Sequence, residues 1–366
     1  MRLARPHLAG MLGRAGLGLV LGGMLAAACR GEPAPPPTAP VAADELIFYN
    51  WPEDLPQSVL DAFTAEYGVK VNYQTFDAME EAVVQIEAGQ VYDVVNLDNR
   101  FIPALVQAGR LAELNHARLP NLKNISPNFR DLVYDPGNRY TVPYNWGTTG
   151  LVVRKDQLAR PVTRWSDLWD PQLAGKVALW LGEPREVLGL TLRSLGFSAN
   201  SEAPAELEAA LARLVALKPN AYWLDAGSDS LVAALEAGEV ILGMGYAGDV
   251  LLARQSLADI DYVLPEEGAL LWGENFVIPG SSPRQATAEL FLNFILRPEI
   301  AAQIANENYY ATPNEAAYRF IQPELLTDPV IFPPNEALLR AEIVFPLSPG
   351  GQALYERIWA AFLAAP

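Results

Sequence analysis

The stretch Glu45-Leu46-Ile47-Phe48-Tyr49-Asn50, then helically spaced apolar residues from Leu60 to Tyr67, a stop at Gly68 and Val69-Lys70-Val71-Asn72-Tyr73, decides the fold class. The two apolar and β-branched runs suit strands, and the spacing between them suits a helix, so the segment is a βαβ unit. The pattern continues with a helix expected from Ala78 to Ala88 closed by Gly89, a strand over Val91-Tyr92-Asp93-Val94-Val95, and a helix from Ile102 to Ala108 closed by Gly109. Such alternation predicts a largely parallel sheet with helices on both faces. Ligands of these sheets lie beyond the carboxyl ends of the strands, which puts Trp51 to Asp54 and Asn96 to Asn99 at a mouth.

Working outward, Ile86-Glu87-Ala88-Gly89-Gln90-Val91 has a faint echo in Leu235-Glu236-Ala237-Gly238-Glu239-Val240, each feeding a strand. A helix over Leu207 to Leu217 and strands over Lys176 to Leu181 and Val240 to Gly245 fit a second lobe on the same plan. From Asp44 to Pro366 the chain is too long for a typical single core, and its 51% hydrophobic composition with eight tryptophans suits a well-packed protein. Tyr144 to Val153, strand-like but interrupted by Gly147-Thr148-Thr149-Gly150, suits a hinge crossing between lobes. The expected architecture is α/β, two lobes with a cleft between them.

At the amino end, Arg2, Arg5 and Arg14 precede an uncharged run from Ala15 to Ala28, the layout of an export signal. The run is shorter than the ~20 apolar residues of a membrane span. Cys29, the single cysteine, follows Leu25-Ala26-Ala27-Ala28, so residues 1–28 resemble a lipoprotein signal with Cys29 as the acylated residue, although the family more often has Leu in place of Ala26. The proline-rich segment 29–43 reads as an extended tether. The formal charge is −17, and loss of three arginines and no acids with the signal leaves −20. That argues against nucleic acid or anionic lipid as the main partner and permits a cationic ligand.

Without the signal the single histidine is His116, expected to serve a loop, so Ser-His-Asp, Cys-His and His-rich zinc arrangements are unavailable. No Walker or Rossmann glycine motif occurs, and no cofactor is expected. A paired-carboxylate hydrolase remains an alternative. Acids stand beside aromatics instead. Glu183 and Glu186 flank Pro184 at an expected helix amino end, where the helix dipole alone accounts for them. Tyr246-Ala247-Gly248-Asp249 follows a strand, with Asp249 able to cap a helix from Val250. Trp272-Gly273-Glu274-Asn275 stands just before an expected strand over Phe276 to Ile278.

Phe48-Tyr49-Asn50-Trp51, Pro143-Tyr144-Asn145-Trp146-Gly147-Thr148-Thr149-Gly150, Trp165-Ser166-Asp167-Leu168-Trp169, Arg185-Glu186-Val187, Gly245-Tyr246-Ala247-Gly248-Asp249-Val250, Leu264-Pro265-Glu266-Glu267-Gly268, Asn293-Phe294-Ile295-Leu296-Arg297-Pro298 and Ala311-Thr312-Pro313-Asn314 together resemble the spermidine/putrescine-binding proteins of bacterial polyamine ABC transporters. The resemblance runs in order from about Leu46 to Trp359. It implies a two-lobed type II periplasmic binding protein, with lobe one at 44–149 plus 273–320 and lobe two at 150–272 plus 321–366. It implies aromatic walls at Trp51, Tyr246, Trp272 and Tyr310, and cation anchors at Glu53, Glu186, Asp249 and Glu274, with Glu183 as an extra. Its implied partners are a polyamine and a membrane permease, and its implied location is the periplasm or the outer face of the cell membrane, held by a lipid on Cys29.

Three departures bear on the ligand: Asn96-Leu97-Asp98-Asn99 stands where the family usually has Ser or Thr, Tyr246 replaces a family tryptophan, and Phe345 replaces a polar residue of spermidine binders. Another small cation or ferric iron is an alternative ligand, the latter because Tyr309-Tyr310 could mimic paired tyrosine ligands. A structural or adhesion lipoprotein is a third reading, one that predicts no ligand-dependent closure.

Overall fold

The computed structural model describes residues 43–224 and 228–366. The expected export signal, the expected acylation site Cys29 and all but the last residue of the expected tether lie outside the described residues. In the amino-terminal half, β1 (Glu45–Asn50), α1 (Gln57–Tyr67), β2 (Lys70–Thr75), α2 (Met79–Glu87), β3 (Val94–Asp98) and α3 (Ile102–Gln107) alternate as expected. The long β4 (Thr141–Arg154) leads to β5 (Val177–Trp180), α4 (Pro184–Ser194), α5 (Pro204–Val215), β6 (Ala221–Leu224), α6 (Ser228–Glu236), β7 (Leu242–Tyr246), α7 (Ala247–Ala253) and β8 (Ile260–Val263). The chain returns through β9 (Leu270–Val277), α8 (Gln285–Ile295) and α9 (Pro298–Asn308), then the short α10 (Pro323–Leu326), α11 (Asn335–Leu338) and β10 (Glu342–Ile343), and closes with α12 (Pro349–Ala364).

The strands order as β2-β1-β3-β9-β4-β7-β5-β6. The triplets β2-β1-β3 and β6-β5-β7 are each parallel with the first strand in the middle, so the two halves share one plan. The echo marks equivalent corners of that plan. Gly89 after α2 and Gly238 after α6 both take left-handed backbone (φ 76° and 70°), where a side chain would be strained, and each turns the chain toward the third strand of its triplet.

Two antiparallel strands join the halves. β4 pairs with β9 from Thr141 to Thr149, and with β7 and β8 over Thr149 to Arg154, so the segment expected as a crossing is one. Its glycines also serve close packing: a Cβ on Gly147 would collide with the indole of Trp272. Separate cores lie on either side. Leu46, Phe48, Phe63, Phe276 and Phe291 anchor one, and Val152, Trp165, Leu179, Leu190, Leu242 and Phe362 the other. Burial on this scale is the main force holding each lobe, at about 25 cal/mol per Å² of apolar surface.

Some boundaries differ from expectation. β3 begins at Val94 because the preceding Asp93 is fully buried as an acceptor for the Ile47 N–H (2.7 Å), Ser282 (2.7 Å) and Arg284 (2.8 Å), while Val91 is exposed. β9 begins at Leu270, so Trp272 and Glu274 stand within a strand. α7 begins at Ala247, which puts Asp249 inside its first turn instead of at a cap; its Oδ2 reaches back to accept from the Tyr246 N–H (2.8 Å). Among the described residues, no helix is long and apolar enough to cross a membrane.

Candidate ligand-binding cleft

The carboxyl ends of β1 and β3 and the middle of β9 build one end of the cleft. The pairing of Asp98 opposite Glu274 in the β3–β9 register, and of Asn145 opposite Glu274 in the β4–β9 register, fixes where Glu274 stands. Its Oε1 accepts from the Trp51 indole N–H and its Oε2 from the Asn96 amide, both at 2.8 Å. Asn96 also donates to the Asn50 side-chain Oδ1 (2.8 Å), and the Asn50 Nδ2 donates to buried Asp54 (2.8 Å). Every donor in this chain is neutral. Burial, with the Asp54 charge added, raises the Glu274 carboxyl to about 8 against the pull of the Asn96 and Trp51 hydrogen bonds. Burial likewise raises Asp54 to about 6.

The other end is built on the amino terminus of α4. Pro184 opens that helix, and Glu186 lies in its first turn with its Oε2 accepting from the Thr149 hydroxyl of β4 (2.9 Å). Glu186 is buried. That burial, with the Glu183 charge beside it, raises its carboxyl to about 8. Burial also raises Glu183, which faces Arg100 across the cleft. The Arg100 guanidinium lies 3.5 Å from Glu183, 3.7 Å from Glu80 and 3.9 Å from Asp98, and over the Phe101 ring at 4.8 Å. Burial opposes its charge, but Asp98, Glu183, Glu80 and Glu186 outweigh that and raise its pKa.

An aromatic wall links the ends. Trp180 meets Tyr246 (4.6 Å between ring centroids), Tyr246 meets Trp272 (5.8 Å), and Trp272 meets Tyr310 edge-on (5.4 Å). Tyr310 also packs on α7, where a Cβ on Gly248 would meet its ring. Asp249, almost fully buried, stands by this wall: after burial itself, the Asp249 and Glu274 charges raise the Tyr310 hydroxyl well above its ordinary range. An ammonium between acids and aromatic faces is held by both.

The structure therefore gathers Trp51, Glu183, Glu186, Tyr246, Asp249, Trp272, Glu274 and Tyr310 around one cleft. Glu53 stands apart from the buried acids. It is exposed on a turn with left-handed backbone (φ 59°), and its neighbour Asp54 takes the interior place. Sequence reasoning missed Trp180, Asn50, Asn96 as a donor, and Arg100, which follows directly on the Asn96 to Asn99 mouth. Phe345 presents its backbone to Asn200 (2.8 Å) and Arg185 (3.4 Å). His116 donates from Nε2 to the Asn138 carbonyl (2.8 Å). Tyr309 ends α9 in left-handed conformation and is 42% exposed, so the adjacent tyrosines do not converge. Among the described residues, no group of three or more His, Cys, Asp or Glu side chains is placed to hold a metal.

Comparison with known proteins decides the family. The model for bacterial extracellular solute-binding proteins matches residues 58–333. The chain belongs to that family. This solute-binding protein is 35% identical over 300 residues to the spermidine/putrescine-binding periplasmic protein of Escherichia coli K12, covering 81% of this chain and 85% of that one. It is 31% identical over 332 residues to the putrescine/cadaverine-binding protein of Pseudomonas aeruginosa, covering 87% and 93%. Its fold matches the crystal structure of the spermidine/putrescine ABC transporter substrate-binding protein of Streptococcus pneumoniae with a TM-score of 0.80 at 31% identity, over 88% of this chain and 99% of that one. The fold is the two-lobed, type II periplasmic binding protein, and the family is one of transport proteins.

Proposed function

We propose that this solute-binding protein captures a small di- or polyamine and delivers it to the membrane permease of an ABC importer, without chemistry on the ligand. The observation that carries the reading is the pair of deep carboxyls, Glu274 and Glu186, each raised to about 8 by burial and set at opposite ends of an aromatic wall. Buried carboxylates need cationic partners, and an apolar wall between them suits a methylene chain with an ammonium at each end. The ligands for which the relatives are named, spermidine, putrescine and cadaverine, have that form.

In this reading Trp51, Tyr246, Trp272 and Tyr310 enclose the chain, Glu274, Asp249 and Glu186 hold the ammonium ends, Glu183 lies beyond Glu186, and Glu53 is a solvated rim contact. The lobes are 44–149 with 273–320 and 150–272 with most of the remainder. Ile321 packs with Ala301 and Ala317 while Val330 packs with the second core, which favours a third crossing between those two residues. Closure brings the acids of one lobe onto a cation docked on the other, and excluding water strengthens each charge contact. Cys29 is proposed as the lipid anchor that holds the protein at the outer face of a membrane. Calorimetric titration with putrescine, spermidine and an amino-acid control tests the proposal. One-to-one binding of an amine supports it, and no binding of any amine by protein unfolded and refolded to strip endogenous ligand refutes it.

A further inference from the structure

The charges at the two ends of the cleft are balanced differently. Around Glu274 the donors are Asn96 and Trp51, both neutral, so the acid there is oriented but not compensated. Beyond Glu186, the acids Glu183 and Asp98 already have a cation, because Arg100 reaches between them from the loop after β3. Arg100 belongs to the first lobe, next to Phe101 and its core, whereas Glu183 opens α4 of the second. The guanidinium thus stands where the two lobes meet, near enough to Glu186 to feel its charge, and Tyr246 of the wall feels Glu186, Glu183 and Arg100 together.

We propose that Arg100 is a tethered cation that fills the subsite of a third ligand ammonium, making this protein selective for a diamine over a longer triamine. The inference rests on the amine reading of the cleft. A diamine places one ammonium by Glu274 and Asp249 and the other by Glu186, with its methylenes on Trp272 and Tyr246. A triamine of greater length must put a further ammonium at Glu183 and Asp98, where it meets a like charge, and like-charge juxtaposition is how a site rejects a competing ligand. The same guanidinium supplies an interlobe ion pair in the complex with a diamine.

The test compares putrescine and spermidine affinities of the wild-type protein, Arg100→Met and Arg100→Met/Glu183→Gln. Methionine keeps much of the side chain's bulk over Phe101 and removes the charge. The wild type is expected to favour putrescine, and Arg100→Met to move the affinity ratio toward spermidine by ~tenfold or more, equivalent to ~1.4 kcal/mol. The double variant is expected to lose most of that gain, since of the two acids that faced the guanidinium only Asp98 then remains to hold the ammonium. Binding of both amines with a ratio unchanged by Arg100→Met overturns the inference and leaves the amine reading standing. If no amine binds even the wild type, the reading and the inference fall together.

Discussion

The two ends of the cleft stand on different secondary structure, the middle of a strand at Glu274 and the amino terminus of a helix at Glu186, and solve the problem of a buried acid in opposite ways. At the first-lobe end, Glu274 accepts hydrogen bonds from Asn96 and Trp51, which fix its direction and leave its charge for a ligand. At the second-lobe end, Arg100 faces Glu183 and Asp98, while Glu186, one turn further in, accepts from the Thr149 hydroxyl. Neutral donors cost a carboxylate little of its appetite for a cation; a guanidinium satisfies it. On the proposal for Arg100, such a cleft measures ligand length by where its own cation begins.

This comparison is open to direct attack. The largest effect is expected at Glu274: its replacement by Gln keeps the shape and removes the charge the carboxyl takes on when a cation binds, weakening diamine binding by ~2–5 kcal/mol in titration calorimetry. Glu186→Gln should cost less, about 1.5–3 kcal/mol, because the neighbouring Glu183 keeps the region negative. Trp272→Leu removes an aromatic face and should cost ~0.5–2 kcal/mol, seen as faster release in stopped-flow fluorescence. Glu53→Gln, at the solvated turn, should change affinity by less than ~1 kcal/mol. An effect at Glu53 equal to that at Glu274 would show the anchors to be drawn in the wrong place.

Much of the fold was legible because its punctuation is local. Gly68, Gly89 and Gly109 end helices by the left-handed backbone they alone take cheaply, and the strands between them are uniformly apolar or β-branched. The start of β9 was not legible. Leu270-Leu271-Trp272-Gly273-Glu274 alternates poorly, because that strand lies between β3 and β4 with one part facing a core and another the cleft. The acids and aromatics of the site stood out by their pairing in sequence, whereas Asp54 in place of Glu53 turns on a single residue's backbone angle. Arg100 was invisible for a different reason: its partners Glu183 and Glu80 are remote in sequence, and while the fold of the first lobe brings Glu80 to it, only the approach of the lobes brings Glu183.

The central claim is that the cleft holds carboxyls which give up protons when a cation arrives. Glu274 and Glu186, raised to about 8, are mostly protonated in the ligand-free protein at neutral pH, and the bound diammonium requires their ionised forms. Below about pH 8 each such carboxyl makes affinity rise with pH, by up to ~tenfold per pH unit, with one proton released. The most direct measurement is putrescine titration calorimetry from about pH 6 to about pH 8 in two buffers of different ionisation enthalpy, which counts protons as well as affinity. The account predicts one-to-one binding that tightens as pH rises, with net proton release. Binding that is flat across this range with no proton exchanged would contradict it.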